Sequence, residues 1–364
     1  MKLKVPVGLS INYSPLNGGT LVNSFTNKYL DINILENELL IGILSKCGSW
    51  IDYHMVIQYL TNSFKLTNEN ADMVIKELLN HNILVSDNNK RYMKIDNNQQ
   101  IWNDFNWGDP LKFHIHTNNL KKTDYWNDPA GLDDIRRMKE KVKESPPPSN
   151  FKELTDKPIL KLSKEQKIIS ELNIDELFFD DVGEDKQNLN ITLDQLGVYI
   201  YYSFGQTATK TDPVTGLHIS KTSPSGGARH PAEVYLFVKD IDGLSQGIYH
   251  YNVKEHGLTE LEIGEQDQFI QEHIICHKNR PGFDYKVAFV HTLIFERSMH
   301  RYREPRSYRA VTHDLGHLMQ TAALIASYSG WNSYRGYSMH DEIVDEKLKI
   351  DGILESSCTF TLIG

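Results

Sequence analysis

A glycine-containing loop that leads directly into an apolar segment constrains this chain more than any other feature. The loop has the sequence KTSPSGGARHP over residues 221–231, and the apolar segment VYLFV occupies 234–238. Adjacent glycines allow positive φ angles and bring bare peptide groups close to a flat or anionic ligand, while Arg229 adds a charge suited to phosphate. An ordinary turn before a strand has a similar composition. The loop alone therefore leaves a turn and a cofactor site both open.

Length and charge exclude several classes of protein. The chain has 364 residues, 40% of them hydrophobic, and a formal net charge of −9, which predicts two domains and argues against a nucleic-acid partner. Three cysteines without a CxxC pair predict neither a zinc site nor a disulfide framework. No segment approaches the roughly 18 apolar residues that span a bilayer. We expect a cytoplasmic protein with no membrane partner.

The first hundred residues have their own pattern. Apolar residues at helical spacing predict three helices, around 39–44, around 55–60 and from Thr67 to 79. Apolar runs at 83–85 and 92–95, separated by a turn-like Asp-Asn-Asn, predict a β-hairpin. Three helices and a hairpin indicate a winged-helix-like domain.

The third predicted helix is acidic, which makes it a poor reader of DNA, because Lys and Arg supply most of the phosphate contacts. A winged helix can instead bind a peptide as an added strand. We predict such a peptide-binding domain over 1–100, with a purely structural domain as the alternative. The triple proline at 146–148 predicts a linker within a connecting segment over 101–160. The remaining domain spans 161–364.

The C-terminal half alternates helices and strands, which predicts an α+β fold. A helix should begin after Thr192, strands should lie near 233–238, 247–252, 286–295 and 357–363, and a long helix should cover about 309–329. Gly330 should then end that long helix, with Trp331 as a core anchor.

Five arginines lie within residues 297–309, interleaved with Tyr302 and Tyr308. A solvated basic face is one explanation, and a phosphate or carboxylate ligand is the other. His313 and His317 lie one helical turn apart, and His114 and His116 form a strand-like His-x-His. Neither pair has a third ligand at recognisable spacing, so we predict no metal site.

Together these segments, with the GIYHY run at 247–251 and the DLGH run at 314–317, resemble the SagB-type dehydrogenases. These are flavin enzymes of the nitroreductase superfamily. The resemblance covers roughly residues 185–364 and implies a nitroreductase-like FMN domain, a homodimer, and FMN bound without a covalent link. It also implies a ribosomally made precursor peptide as substrate, other peptide-modifying enzymes as partners, and NADPH or NADH as candidate electron donors.

The resemblance assigns roles to individual residues. It places Pro224, Ser225, Gly226 and Gly227 against the flavin ring. Azole-forming relatives carry a catalytic Lys-Tyr pair where this chain has Arg301 and Tyr302, which are therefore the catalytic candidates. Arginine, with a pKa above about 12, cannot accept a proton at neutral pH.

A second departure concerns the FMN phosphate. Relatives hold it with an arginine-rich motif at the start of the domain, whereas residues 173–178 here are acidic. We expect Arg229, Arg309 and Arg335 to hold the phosphate, and Gly336 to lie in a late loop that closes over the cofactor.

The leading functional hypothesis is oxidation of thiazoline or oxazoline rings to azoles in a ribosomal peptide. The alternative enzyme reduces dehydroalanine or dehydrobutyrine in a lanthipeptide with electrons from NAD(P)H. A flavin-free scaffold or peptide-recognition subunit is the alternative outside enzymes.

Overall fold

The computed structural model describes residues 1–12, 20–23, 28–31, 37–118, 126–154, 157–164 and 190–364. The chain divides into two compact units, Met1–Thr123 and Asp124–Gly364. The domain limits after residues 100 and 160 stay predictions.

The described residues of the first unit form two small antiparallel sheets and five helices. One sheet has the order β5-β1-β6 and the other the order β2-β3-β4. The strands are β1 (Lys2–Lys4), β2 (Leu9–Asn12), β3 (Thr20–Asn23), β4 (Lys28–Asp31), β5 (Ile51–Asp52) and β6 (Val85–Ser86), and the helices are α1 (Glu38–Lys46), α2 (Tyr53–Phe64), α3 (Asn68–Asn80), α4 (Lys90–Asp104) and α5 (Gly108–Asn118).

The three predicted helices of this unit are confirmed as α1, α2 and α3. Thr67 caps α3, where its hydroxyl accepts a hydrogen bond from the Asn70 amide at 3.2 Å. Each helix turns an apolar stripe inward, so that Ile43, Leu60 and Ile75 meet Leu3 of the central strand β1 in one core.

The predicted β-hairpin is wrong, because residues 92–95 lie in helix α4. The Asn89 side chain caps this helix by accepting from the Tyr92 amide at 3.0 Å, so the turn-like Asp-Asn-Asn run is a helix start. Tyr92 is buried, and its hydroxyl accepts from the Val7 amide at 2.7 Å. This long-range contact is invisible to a local pattern, and the winged-helix assignment stays a prediction.

The strand-like His114-x-His116 is also wrong, since both residues lie in helix α5. Buried Leu111 and Ile115, four residues apart, supply the helical spacing.

The second unit is built around a seven-stranded antiparallel sheet with the order β14-β15-β13-β10-β11-β12-β7. The strands β8 and β9 form a separate hairpin. The strands are β7 (Ile159–Lys161), β8 (Gln206–Asp212), β9 (Gly216–Lys221), β10 (Ala232–Val238), β11 (Gly247–Asn252), β12 (Gly257–Ile263), β13 (Val287–Ile294), β14 (Ser333–Gly336) and β15 (Glu355–Ile363), and the longer helices are α6 (Leu132–Glu144), α7 (Leu193–Phe204), α8 (Ser307–Tyr328) and α9 (Asp341–Leu348).

Both faces of this sheet are covered, which explains why every residue of β10 is buried. Val234 and Leu236 face a core shared with α7 and α8, whereas Tyr235 and Phe237 face a second core that includes Val344 of α9. The predicted α+β class is confirmed, as are the four predicted strands and the long helix.

Two predicted helix boundaries are confirmed as well. Thr192 and Gln195 form a reciprocal capping box at the start of α7. Gly330 has a φ of 74° just after α8, and Trp331 is buried in the core beside it. Across the described ranges, no helix is long and apolar enough to cross a membrane.

Two glycines give a matched test of this packing. A Cβ on Gly336 would lie 2.0 Å from the Phe360 ring, whereas a Cβ on Gly316, inside α8, would meet nothing within 4 Å. We expect Gly336→Ala to lower the free energy of unfolding by about 2–3 kcal/mol through overpacking. Gly316→Ala should raise it by about 0.5–1 kcal/mol. Urea unfolding measures both, and equal effects would contradict the packing.

Candidate active site

The loop between β9 and β10 has an unusual backbone. Residues Gly226–Ala228 form a short 3-10 turn, in which Gly227 has a φ of 62° and Ala228 a φ of 52°. A Cβ on Gly227 would lie only 2.0 Å from the Tyr302 hydroxyl oxygen. Glycine at 227 is therefore required both by the backbone and by the close approach of Tyr302. The structure thus brings the predicted cofactor loop and the predicted catalytic tyrosine together.

Helix α8 holds the loop from one side. Asp314 accepts a hydrogen bond from the Ser225 hydroxyl at 2.6 Å and from the Gly226 amide at 3.0 Å. The Ser225 oxygen in turn accepts from the His230 amide at 2.9 Å. Sequence analysis missed Asp314 as a site residue, because nothing local shows that a helix 90 residues later faces this loop.

Two guanidinium groups flank Tyr302. Arg301 lies over its ring, 5.0 Å from the centroid, and Arg229 bonds to the carbonyl of Gly227, the residue that the Tyr302 hydroxyl approaches. Arg301 forms an ion pair with Asp134, and its carbonyl accepts from the Lys141 ammonium at 2.7 Å. Arg301 is therefore held in place by helix α6.

Arg229 is itself anchored within the loop. Its Nε donates to the Gly227 carbonyl at 2.9 Å, and its Nη2 lies 3.0 Å from Nδ1 of His218. Since arginine only donates, that ring nitrogen is the acceptor. Burial and the neighbouring Arg229 lower the pKa of His218, which favours the neutral ring.

The arginine-rich segment is largely paired within the chain. Arg297 bonds to Glu233 at 2.6 Å, Arg301 to Asp134, and Arg303 to Glu144. The clustering of at least these three cations therefore has an internal cause and does not require a ligand.

Glu233 is the centre of a buried ionic cluster. Its carboxylate forms an ion pair with the Arg297 guanidinium, and a carboxylate oxygen lies 2.7 Å from Nε2 of His250. Burial alone would raise the pKa of Glu233, but Arg297 and His250 together hold it far below its usual range. The carboxylate is therefore charged at all working pH values.

Lys221 is a further site residue whose chemistry the sequence did not reveal. It lines a small cavity beneath the loop with Ser225, His230 and Asp314, and the cavity has room for about one water molecule. Burial lowers the pKa of Lys221 to about 8; Glu233 opposes this shift and Arg297 adds to it. Burial beside Lys221 also lowers the pKa of His230 to about 3, so that ring is neutral.

An apolar cavity of about 440 Å³ opens beside Tyr302. Phe295 and Tyr308 stack in its wall with centroids 6.0 Å apart, and Met299 and Val311 add apolar surface. Its size falls within the range of about 300–1,000 Å³ that is typical of small-molecule sites.

The other predicted cofactor residues lie elsewhere in the unit. Arg335, on edge strand β14, donates to the Gln320 amide oxygen at 3.0 Å, and Gly336 packs against Phe360. Arg309 lies in the first turn of α8. In the part of the chain that the structure describes, Arg335 and Gly336 therefore contact helix α8 and strand β15 and not the loop. The acidic segment at 173–178 lies outside the described residues.

These residues fit a flavin in their chemistry. The exposed backbone at Gly226 and Gly227, the aromatic wall of the cavity and the Arg229 guanidinium suit a flat ring that carries a phosphate. Among the described residues, no group of three or more His, Cys, Asp or Glu side chains could hold a metal ion.

Comparison with known proteins finds two relatives that each match somewhat less than half of the chain. The chain is 39% identical over 179 residues to the trifolitoxin-processing protein TfxB of Rhizobium leguminosarum bv. trifolii, and this alignment covers 48% of each protein. Over 163 residues it is 26% identical to a candidate nitroreductase of Methanocaldococcus jannaschii, which covers 44% of this chain and 75% of the relative. The predicted resemblance to SagB-type proteins of the nitroreductase superfamily is confirmed. The match spans about half the length of the first relative, and no family model matches the chain.

Solved structures show a weaker likeness. A nitroreductase from Anabaena variabilis aligns with 64% of this chain and 45% of its own, with 23% identity and a TM-score of 0.48. The Escherichia coli microcin synthetase McbBCD complex gives a chain with 19% identity and a TM-score of 0.40, over 58% of this chain and 77% of that one. These values are too low to carry an argument.

The lowered pKa of Lys221 predicts a pH-dependent stability. Between pH 8 and 10.5 the folded protein has released a proton that the unfolded chain still binds, so the wild type gains stability as the pH rises through this range. Lys221→Met lacks this gain. We therefore expect the free energy of unfolding of the wild type, measured with urea, to increase relative to that of Lys221→Met as the pH rises.

The exposed Lys210 on β8 offers a matched control, because Lys210→Met removes an ammonium from the same hairpin without removing a buried one. A difference between wild type and Lys221→Met that stays constant over this pH range would contradict the assigned environment of Lys221.

Proposed function

We propose that this chain is an FMN-dependent oxidoreductase that modifies a ribosomally made peptide, with oxidation of azoline to azole rings as its reaction. The observation that carries the proposal is the position of Tyr302, whose hydroxyl lies against Gly227 of the predicted cofactor loop, whose ring is covered by Arg301, and which lines an apolar cavity. The relative named for trifolitoxin processing supports a peptide as the substrate.

The reaction removes a hydride and a proton from each azoline ring. Bound FMN would accept the hydride, and this chain must take the proton. Arginine at 301 cannot accept it, so the Tyr302 oxygen, which lies against Gly227 and beside the apolar cavity, would be the group that takes the proton. Arg229 and the exposed backbone at Gly226 and Gly227 would hold the flavin, and the stacked rings of Phe295 and Tyr308 would pack against the reacting ring.

One observation favours the reductive alternative. Asp134 and Lys141 hold Arg301 in place, so the amine that azole-forming relatives carry beside the tyrosine is replaced here by a fixed cation. In that alternative Tyr302 would donate a proton to dehydroalanine or dehydrobutyrine, with NADPH or NADH as the electron source. The same residues serve both directions, so the electron source decides between them.

We further propose that the first unit binds the peptide leader by strand addition. Two small sheets there present edge strands, and strand addition needs backbone edges and not positive charge. A homodimer and partner enzymes belong to this proposal as well.

An anaerobic spectrum of the purified protein tests the direction of electron flow. We expect the flavin to stay oxidised when NADPH and NADH are added in turn, because its electrons would come from the peptide. Rapid bleaching by either nucleotide would favour the reductive alternative. Mass spectrometry of the treated peptide gives an independent answer, since oxidation removes two hydrogens per ring and reduction adds two. A colourless protein that takes up no FMN would favour the scaffold.

Replacing Tyr302 with Phe tests the proton transfer. We expect Tyr302→Phe to retain FMN and to lose about 10²- to 10⁴-fold in peptide turnover, the usual contribution of a positioned acid or base. Tyr337, which is 70% exposed, provides the control variant Tyr337→Phe. Unchanged turnover in a flavin-loaded Tyr302→Phe protein would remove Tyr302 from this role.

A further inference from the structure

The loop that carries the predicted flavin contacts has a conformation that its own residues disfavour. Ala228 has a φ of 52° and His230 a φ of 44°, and left-handed backbone is unfavourable for residues with a Cβ. Such a conformation persists only where surrounding contacts impose it, and it is concentrated at functional sites. Contacts with surrounding residues must therefore impose the left-handed backbone at Ala228 and His230.

A continuous polar chain joins the two ends of this loop to the rest of the unit. At one end, the Asp314 carboxylate accepts hydrogen bonds from the Ser225 hydroxyl and the Gly226 amide. Across the loop, Ser225 accepts from the His230 amide. At the other end, Nη1 of Arg297 donates to the His230 carbonyl at 3.2 Å and pairs with Glu233 of β10. The strained residues lie between these anchors.

Asp314 is the least replaceable member of this chain. It is buried, and it satisfies two donors from adjacent residues of the loop at once. A carboxylate can accept both bonds, whereas an asparagine would turn its amide nitrogen toward one of the two donors. Loss of the carboxylate would remove an acceptor shared by two neighbouring loop residues and free the Ser225 end of the loop.

We infer that Asp314 is the positioning residue that holds the loop Ser225–His230 in its observed conformation, with left-handed backbone at Ala228 and His230, and that FMN binds tightly only to the loop so held. The second part rests on the proposed function. Asp314 acts through the loop and does not take part in the chemistry.

The chain contains a close chemical match to Asp314 away from the site. Asp345 of α9 is also buried, and it accepts from the Ser357 amide at 2.6 Å and from the Ser356 hydroxyl at 3.0 Å. It thus joins a helix to a serine hydroxyl and a neighbouring amide, as Asp314 does. The difference is that its partners lie on strand β15 and not on the strained loop.

The first experiment compares Asp314→Asn with Asp345→Asn in the full chain. Both variants should lose thermal stability, because each disrupts a buried carboxylate. Only Asp314→Asn should raise the FMN dissociation constant, by about tenfold or more, which corresponds to about 1.4 kcal/mol. Equal FMN affinity in both variants would overturn the inference. If Asp314→Asn does not fold, Ser225→Ala removes the same link and should weaken FMN in the same way.

The second experiment needs no flavin. Ala228→Gly relieves the unfavourable φ, so it should raise the melting temperature of the wild-type protein by about 2–4 °C. In the Asp314→Asn background the loop is already released, so Ala228→Gly should raise the melting temperature of that variant by much less. An equal rise in both backgrounds would mean that Asp314 does not impose the conformation, and would overturn the inference.

The two experiments separate this inference from the proposed function. If no form of the protein binds FMN, the proposed function fails, and the Ala228→Gly comparison still decides whether Asp314 holds the loop. If the wild type binds FMN and Asp314→Asn binds it equally well, the inference fails and the proposed function stands.

Discussion

The buried ion pair between Glu233 and Arg297 is the interaction on which the candidate site depends. Both side chains are almost fully buried, at 2% and 4% exposure, so each charge needs the other. The Arg297 guanidinium also donates hydrogen bonds to the His230 and Ser149 carbonyl oxygens. The Glu233 carboxylate has a further hydrogen bond with Nε2 of His250. Breaking such a pair by removing one partner typically costs about 3–5 kcal/mol. One cation thereby joins strand β10, the loop before it and the segment that leads to Tyr302.

This pair explains how distant parts of the chain meet. Strand β10 is buried on both faces, so the loop before it begins from a rigid support. Arg297 fixes the start of the segment that carries Tyr302, and helix α8 then brings Asp314 back against Ser225. The loop is consequently held from the sheet and from the helix. A site built in this way can keep a backbone conformation that the loop would not adopt alone.

Local sequence patterns predicted the second unit well and the first unit less well. The strands β10 and β13 are mostly apolar runs in a sheet covered on both sides, so their composition indicates their burial. The apolar run at 92–95 is short, and Asn89 caps a helix there because Tyr92 reaches Val7 in another part of the unit. Short apolar runs do not distinguish a helix from a strand, and a tertiary contact decided between them.

By itself, the sequence determined the helices and strands with strong periodicity, the need for glycine in the loop, and the chemistry available at Arg229, Arg301 and Tyr302. Tertiary structure alone decided which charges meet. Arg301 pairs with Asp134, a carboxylate 167 residues earlier, and Lys221 lies in a buried cavity that shifts its pKa. Local patterns cannot show either result, because ion pairing and desolvation depend on distances in space and on burial, and only the folded chain defines those.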